Sequence, residues 1–242
     1  MQFSIQLYSL RALSETAADF LALFPRLKAL GFDGVEFAGY HGLGAKELRK
    51  ALDDAGLVAT GTHVGLDELR PEKLPATIAF CKTLGMDKIG VGGAPHGTPN
   101  ETVASCAVLK AAYQAAKPQG ITIYYHNHSS EFKPFEDGTL AIDQFFGACA
   151  LQIDTCWSAV AGVDNYPFLM AHKAQICALH IKDALLDGSA RVLGQGEVDL
   201  PTVVRAAKGM GLGWLVLEHE GNDASSVFDE VAQCAAWLNK NV

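Results

Sequence analysis

The chain has 242 residues, with 19 basic against 27 acidic side chains, so its formal net charge is −8 with histidine neutral. Hydrophobic residues make up 49%, which excludes a disordered chain and provides for the core of one large domain. No apolar run approaches the roughly 18 residues of a membrane helix, and the acidic charge argues against nucleic-acid binding. The six cysteines form no Cys-x-x-Cys pair, so we expect reduced, mostly buried thiols in a cytoplasmic protein without a membrane partner.

One pattern recurs along the chain: a helical stretch ends in glycine, and a short apolar or β-branched run follows. The glycines are Gly31, Gly56, Gly85, Gly120 and Gly211. A glycine just past a helix adopts the left-handed conformation that closes the last turn, so each one indicates a passage from helix to strand. Further strands are predicted over residues 3–7, 150–154 and 177–182. The total is eight strands separated by helices.

This alternation determines the predicted fold. Eight strands between helices predict a parallel sheet, and about 250 residues is the usual size of a closed (β/α)8 barrel. A doubly wound open sheet has a glycine-rich turn after its first strand, whereas here the first strand runs into Tyr8-Ser9-Leu10-Arg11. We therefore predict an α/β protein, a single (β/α)8 TIM barrel over residues 1–242, with its active site at the C-terminal ends of the strands.

Polar residues collect at the C-terminal tips of the predicted strands. In chain order they are Gln6, Glu36, His63, His126 with His128, Gln152 with Asp154, His180 with Lys182, and Glu218 with Glu220. Residues two apart face the same way along a strand, and in a barrel these tips converge on one rim. Each residue alone has an ordinary structural interpretation, such as a helix cap at Asp154. The grouping of so many charged and imidazole side chains on one rim has no such ordinary interpretation, because unpaired buried charge is costly. We therefore expect these residues to ligate a metal or to transfer protons.

The candidate metal ligands come from neighbouring strands. Asp154, His180 and Glu218 lie on three strands in sequence order, with His126 and Glu131 nearby on the fifth. Mixed oxygen and imidazole ligands suit Mn²⁺, Co²⁺, Zn²⁺ or Fe²⁺ better than Ca²⁺. None of the spacings is a local metal signature, so this hypothesis depends on the barrel.

Several strings then resemble a known family when taken in order. They are residues 34–40 (GVEFAGY), 125–132 (YHNHSSEF), 151–157 (LQIDTCW), 179–183 (LHIKD), 194–199 (GQGEVD) and 217–220 (LEHE). Together they resemble the xylose isomerase-like TIM-barrel family of sugar phosphate isomerases and epimerases. The resemblance runs over essentially the whole chain, and it points to the family more strongly than to any substrate.

The resemblance implies one divalent metal ion (Mn²⁺, Co²⁺, Zn²⁺, Fe²⁺ or Mg²⁺). The family holds it with a carboxylate from the fifth strand, an aspartate from the sixth, a histidine from the seventh and a glutamate from the eighth. The last three correspond to Asp154, His180 and Glu218. Many epimerases of the family have glutamate where this chain has His126. Either His126 ligates the metal, or Glu131 reaches back from the loop.

The reaction implied is isomerisation or epimerisation of a small keto-sugar or related polyol, by proton transfer through a metal-stabilised enediolate. The expected catalytic residues are Glu131, Glu218 and Lys182, the last as a donor to a developing oxyanion. The expected substrate contacts are Glu36, His63, His128 and Trp157. The partner is a small carbohydrate, and the sequence leaves room for a homo-oligomer.

Three other functions compete with this one. A metal-dependent lyase or dehydratase of a keto-sugar, keto-inositol or 3-keto-glycoside would use histidine at the fifth strand together with a lysine for β-elimination. The endonuclease IV branch of the same superfamily binds DNA, which the net charge of −8 disfavours. A non-catalytic sugar-binding barrel would bind a ligand without turnover.

Overall fold

Strands and helices alternate along the chain in the computed structural model, which describes residues 1–221 and 223–242. The strands are β1 (Gln2–Gln6), β2 (Gly34–Ala38), β3 (Val58–Val64), β4 (Lys88–Val91), β5 (Thr122–His126), β6 (Ala150–Asp154), β7 (Ile176–Ile181), β8 (Asp183–Ala184), β9 (Ala190–Arg191) and β10 (Trp214–Leu217). The α-helices are α1 (Ala17–Ala29), α2 (Ala45–Ala55), α3 (Leu74–Leu84), α4 (Pro99–Ala116), α5 (Ala141–Phe146), α6 (Thr155–Val160), α7 (Asn165–His172), α8 (Leu200–Gly209) and α9 (Val227–Asn241). Short 3₁₀ helices span Leu7–Leu13, Leu66–Leu69, Lys117–Gln119 and Ser130–Phe132.

The central sheet is a closed parallel barrel in the order β1-β10-β7-β6-β5-β4-β3-β2. The (β/α)8 barrel predicted from the sequence is therefore confirmed. Strands β8 and β9 stand outside it as a small antiparallel hairpin, with Asp183 opposite Arg191. This hairpin follows β7 directly and was not predicted, because two-residue strands leave no periodic pattern.

Glycine ends several helices as the sequence predicts. Gly56 after α2 has φ 68° and Gly85 after α3 has φ 81°. Both are in the left-handed region, which glycine enters without the steric cost of a Cβ atom. The chain then turns at once into the next barrel strand.

Strand alternation separates an outer apolar layer from a polar barrel interior. On β2, Val35 and Phe37 are fully buried beneath the helices, and the Phe37 ring packs 6.2 Å from that of Phe20 on α1. The intervening Glu36 faces the barrel interior, where it is also buried. A strand covered on both faces thus carries a carboxylate into the interior.

The cysteines are reduced and mostly buried, as the sequence predicts. All six cysteines are free thiols, and four of them are buried. Within the described residues, no helix combines the length and the apolar character needed to span a membrane.

Candidate functional site

Four titratable side chains meet at the C-terminal end of the barrel. His126 ends β5, Asp154 ends β6, His180 lies near the end of β7, and Glu218 follows β10 directly. Parallel pairing of the strands places these residues at the same height along the barrel axis. Asp154 lies opposite His180, and Glu218 N donates to Ile181 O at 3.1 Å. All four are buried, and one ligand atom from each lies within 4.8 Å of the others. We call these four residues the donor cluster.

The two carboxylate oxygens of Asp154 have different surroundings. Oδ1 accepts hydrogen bonds of 2.9 Å from the backbone N–H groups of Cys156 and Trp157, and so caps α6. Oδ2 is buried and has no hydrogen-bond partner among the described residues. A buried carboxylate oxygen without a donor is costly, so this atom fits a site built for a cation. The helix cap expected from the sequence occupies only one of the two oxygens.

His180 bridges two carboxylates. Its Nε2 lies 2.6 Å from Glu36 Oε2 and its Nδ1 lies 3.1 Å from Glu218 Oε2. Burial alone would lower the pKa of His180, but the charges of Glu36 and Glu218 outweigh it and raise that pKa to about 10. Burial likewise opposes ionisation of Glu36, yet His63 and His180 hold its pKa down at about 2. Glu36 is thus an ionised carboxylate that fixes the His180 ring from the side away from Glu218.

Gln152 determines which nitrogen of His126 is free. Its Nε2 donates to Glu36 Oε1 at 2.7 Å, so its Oε1 must accept. That oxygen lies 2.7 Å from His63 Nε2 and 3.2 Å from His126 Nδ1, and both nitrogens therefore carry hydrogen. Burial lowers the pKa of both imidazoles, which are neutral at neutral pH. His126 Nε2 keeps its lone pair, 4.0 Å from Glu218 Oε2.

His63 belongs to a second set of residues that could hold a metal ion. The rings of His63, His126 and His180 also offer three nitrogens within 4.8 Å of one another. Both His63 nitrogens are already occupied, however, because Nδ1 lies 3.5 Å from the Gln6 amide nitrogen while Nε2 bonds Gln152. The set with His63 also contains no carboxylate, so the chemistry of the donors favours the cluster of His126, Asp154, His180 and Glu218 for a divalent metal.

Lys182 is a buried cation beside this cluster. Its Nζ lies 3.7 Å from Asp154 Oδ2 and 3.9 Å from Glu218 Oε2, and it hydrogen-bonds Glu220. It also stands 4.2 Å from the centre of the Trp157 ring. Burial alone would lower the pKa of Lys182, but the three carboxylates outweigh it and raise that pKa, so the side chain is an ammonium ion.

Glu131 lies apart from the donor cluster, in the 3₁₀ helix after β5. Its Oε1 accepts from Tyr125 OH at 2.7 Å, and its Oε2 accepts from His128 N at 3.0 Å and Ser130 Oγ at 3.1 Å. Its side chain is fully buried. These bonds fix the loop that follows β5, and both carboxylate oxygens are occupied.

The two remaining predicted contacts, His128 and Trp157, lie side by side, with ring centres 6.0 Å apart and ring planes tilted by 45°. The His128 side chain is 43% exposed, so it can reach a ligand in the mouth. Trp157 Nε1 is buried without a hydrogen-bond partner among the described residues. Two buried polar atoms of this region thus have no hydrogen-bond partner among the described residues. Trp157 Nε1 can donate to an acceptor, and Asp154 Oδ2 can bind a cation.

Three residues near the cluster have roles that sequence reasoning did not assign. Tyr124 OH donates to Glu36 Oε1 at 2.7 Å, and Asn127 Oδ1 accepts from Asp154 N at 3.0 Å. Glu220 pairs with Lys182. Strand parity offered a signal for Tyr124 and Glu220, because each is two residues from a cluster member.

Asp183 organises the loop that carries the Gly194-Gln195-Gly196 string. Its Oδ2 accepts from Gly194 N at 2.8 Å and Gly196 N at 3.0 Å. Its Oδ1 accepts from Ala184 N at 3.0 Å and Val198 N at 3.3 Å. Four backbone donors therefore converge on one buried carboxylate, which anchors this loop immediately after β7.

Comparisons with known proteins agree with the architecture. The family model described as xylose isomerase-like TIM barrel matches residues 24–240. A sugar phosphate isomerase/epimerase from Parabacteroides distasonis is 24% identical, with 99% of this chain and 98% of that chain covered and a TM-score of 0.82. A structure of L-ribulose 3-epimerase is 18% identical, with coverage of 100% and 94% and a TM-score of 0.74. The probable 3-DHS dehydratase AsbF from Bacillus anthracis is 15% identical, with coverage of 99% and 99% and a TM-score of 0.76. No curated protein matches the sequence significantly.

Proposed function

This chain belongs to the xylose isomerase-like TIM barrel family, and we propose that it is a divalent-metal-dependent isomerase or epimerase of a small keto-sugar or related polyol. The observation that carries the proposal is the buried set of two imidazoles and two carboxylates, with one carboxylate oxygen left without a donor. Such a set suits Mn²⁺, Co²⁺, Zn²⁺ or Fe²⁺. When bound, an ion of this kind supplies Lewis-acid stabilisation of the charge that develops on a sugar oxygen.

The residues that would hold the ion are His126, Asp154, His180 and Glu218. His126 suits the fifth-strand position better than Glu131 does, because its Nε2 lone pair is free while both Glu131 oxygens accept hydrogen bonds. His180 would ligate through Nδ1, on the side of Glu218, and keep its Nε2 hydrogen bond to Glu36. A carboxylate behind a ligating histidine is the usual way in which proteins orient such a ring.

We assign proton transfer to Glu218 and Lys182. The pKa of Glu218 lies well below its ordinary value, because the charges of His180 and Lys182 and the hydrogen bond from His180 outweigh the effect of burial. As a carboxylate, Glu218 can accept the proton from the carbon beside the carbonyl. The Lys182 ammonium donates to the oxygen on which negative charge grows. Trp157 offers its Nε1–H to the sugar, and the face of its ring packs against Lys182.

A metal-dependent lyase or dehydratase of a keto-sugar, keto-inositol or 3-keto-glycoside is the second candidate, and the surroundings of Glu131 favour it. Epimerisation by two bases needs proton-transfer groups on opposite faces of the substrate. Glu131, expected as the second base, is held by Tyr125 and the loop backbone. Lys182 and Glu218 are instead neighbours, 3.9 Å apart. Adjacent groups suit the removal of a proton and the protonation of a leaving group on one face.

Deuterium exchange tests both functions in one experiment. Keto-sugars, a keto-inositol and methyl 3-keto-glucoside are incubated in D₂O with the metal-loaded protein and followed by NMR. An isomerase or epimerase incorporates deuterium beside the carbonyl and forms a new isomer, whereas a lyase produces an enone that absorbs in the ultraviolet. Lys182→Met should slow the reaction by about 10²–10⁴-fold, and the exposed control Lys133→Met should not. Sugar binding without exchange or product would refute both enzymes and favour a sugar-binding barrel.

A further inference from the structure

A cavity of about 510 Å³ opens beside the donor cluster, and the roles assigned above do not use it. We call it the aromatic cleft, and the residues that define it here are Gly39, Tyr40, His63, Val64, Gly65 and Phe80. Five of them lie in or just after the ends of β2 and β3, and Phe80 comes from α3. The aromatic cleft is therefore at the same end of the barrel as the donor cluster.

The walls of the aromatic cleft are mainly apolar, and Glu68 and Thr77 are polar residues that also line it. The rings of Tyr40 and Phe80 lie 4.4 Å apart, and both are only partly buried. Tyr40 OH donates to Thr62 Oγ1 at 2.9 Å, which fixes the tyrosine ring in place. A Cβ atom built on Gly39 or Gly65 would meet nothing within 4 Å, so the space in front of both glycines is open.

His63 connects the aromatic cleft to the donor cluster. It lines the cleft, and its ring lies 5.1 Å from the ring of His126 and 5.6 Å from that of His180. A sugar bound at the donor cluster would therefore place its next substituent beside His63. Tyr40 and Phe80 line the same cavity as His63.

From this placement we infer that the substrate is a keto-sugar that carries an apolar, aromatic aglycone, and that the aromatic cleft binds the aglycone. The inference rests on the proposed function, because the sugar is placed at the donor cluster. A cavity of this volume is within the usual range for small-molecule sites of roughly 300–1,000 Å³. A dry cavity of about 150 Å³ holds benzene, so the cleft has room for one or two fused rings. A free small sugar would leave the Tyr40–Phe80 wall uncovered.

The test compares phenyl and methyl β-D-glucopyranoside as inert probes, using saturation-transfer NMR and titration calorimetry on the metal-loaded protein. The wild type should bind the phenyl glycoside at least tenfold more tightly than the methyl glycoside. Gly65→Leu should abolish that preference by filling the cleft, and Gly65 tolerates a side chain because its φ is −67° and its ψ is 148°. Gly44→Leu is the matched control. Gly44 is equally extended (φ −79°, ψ 155°) and equally open, but does not line the cleft.

A second filling variant, Ala76→Phe on α3, repeats the test from another wall of the aromatic cleft, and circular dichroism checks that all variants fold. Equal affinity for the two probes in the wild type, absence of phenyl binding, or a preference that survives both filling variants would overturn the inference. These readouts need no turnover. A protein that prefers the phenyl glycoside but exchanges no deuterium would keep the aromatic cleft as a binding site and refute the proposed enzyme.

Discussion

Replacement of Glu36 by glutamine tests whether this buried carboxylate prepares His180 for a metal. Glu36→Gln keeps the size of the side chain but removes the charge 2.6 Å from His180 Nε2. The glutamine also brings an NH₂ group to a position where Gln6, Tyr124 and Gln152 now donate, at 2.7–2.8 Å. Loss of a group that orients a metal ligand typically weakens metal affinity by about 10–100-fold. That corresponds to about 1.4–2.7 kcal/mol, within the range for a hydrogen bond to a charged group.

The assay is competition between the protein and a chromophoric chelator for Zn²⁺ or Mn²⁺ at fixed pH. Glu131→Gln is the matched control, because Glu131 is an equally buried carboxylate that accepts hydrogen bonds from Tyr125 and Ser130. We expect the control to keep wild-type affinity and Glu36→Gln to lose at least tenfold. A folded Glu36→Gln protein with affinity within twofold of the wild type would refute the orienting role. Equal losses in both variants would show that the effect is not specific to His180.

Three further outcomes are expected. His126→Ala should lose the metal that Glu131→Gln retains, as measured by metal analysis after dialysis, and the reverse result would make Glu131 the fifth-strand ligand. His180, with its pKa raised to about 10, is protonated at neutral pH and must release that proton on ligation. Apparent metal affinity should therefore rise about tenfold per pH unit between pH 6 and 8, and calorimetry in two buffers should detect a released proton; pH-independent affinity would contradict this. Asp183→Asn should lower the free energy of unfolding by about 1.5–3 kcal/mol, because the charge is lost and the new NH₂ group replaces an oxygen that accepts from two backbone amides. Urea denaturation measures the change, and a loss below 0.5 kcal/mol would exclude the anchoring role.

The barrel could be predicted from the sequence because its signals are local. Gly56 and Gly85 close helices and are followed by strands, and this pattern repeats often enough to count the strands. Strand parity then predicts which side chains face the interior. It places Asp154 and His180 on one rim without any knowledge of distances, because parallel strands in register bring their C-terminal ends together.

The hydrogen-bond partners could not be predicted in the same way. Glu36 and His180 are 144 residues apart, and only the closed barrel brings them within 2.6 Å. The choice between His126 and Glu131 depends on the path of the loop after β5, which no periodic pattern describes. The contact between the rings of Tyr40 and Phe80 likewise brings together a loop residue and a helix residue that are 40 positions apart in the sequence. Local sequence determines which residues face inward, and the three-dimensional closure determines which of them meet.

The proposed function depends on the binding of a divalent metal ion by the donor cluster. Elemental analysis of protein purified without an affinity metal tests it most directly, with the wild type beside Asp154→Ala and His180→Ala. We predict nearly one equivalent of Mn, Co, Zn or Fe in the folded wild type and loss of that metal in both variants. A wild type that retains no divalent metal and binds none on reconstitution, or variants that hold as much metal as the wild type, would rule out a metal site at the donor cluster.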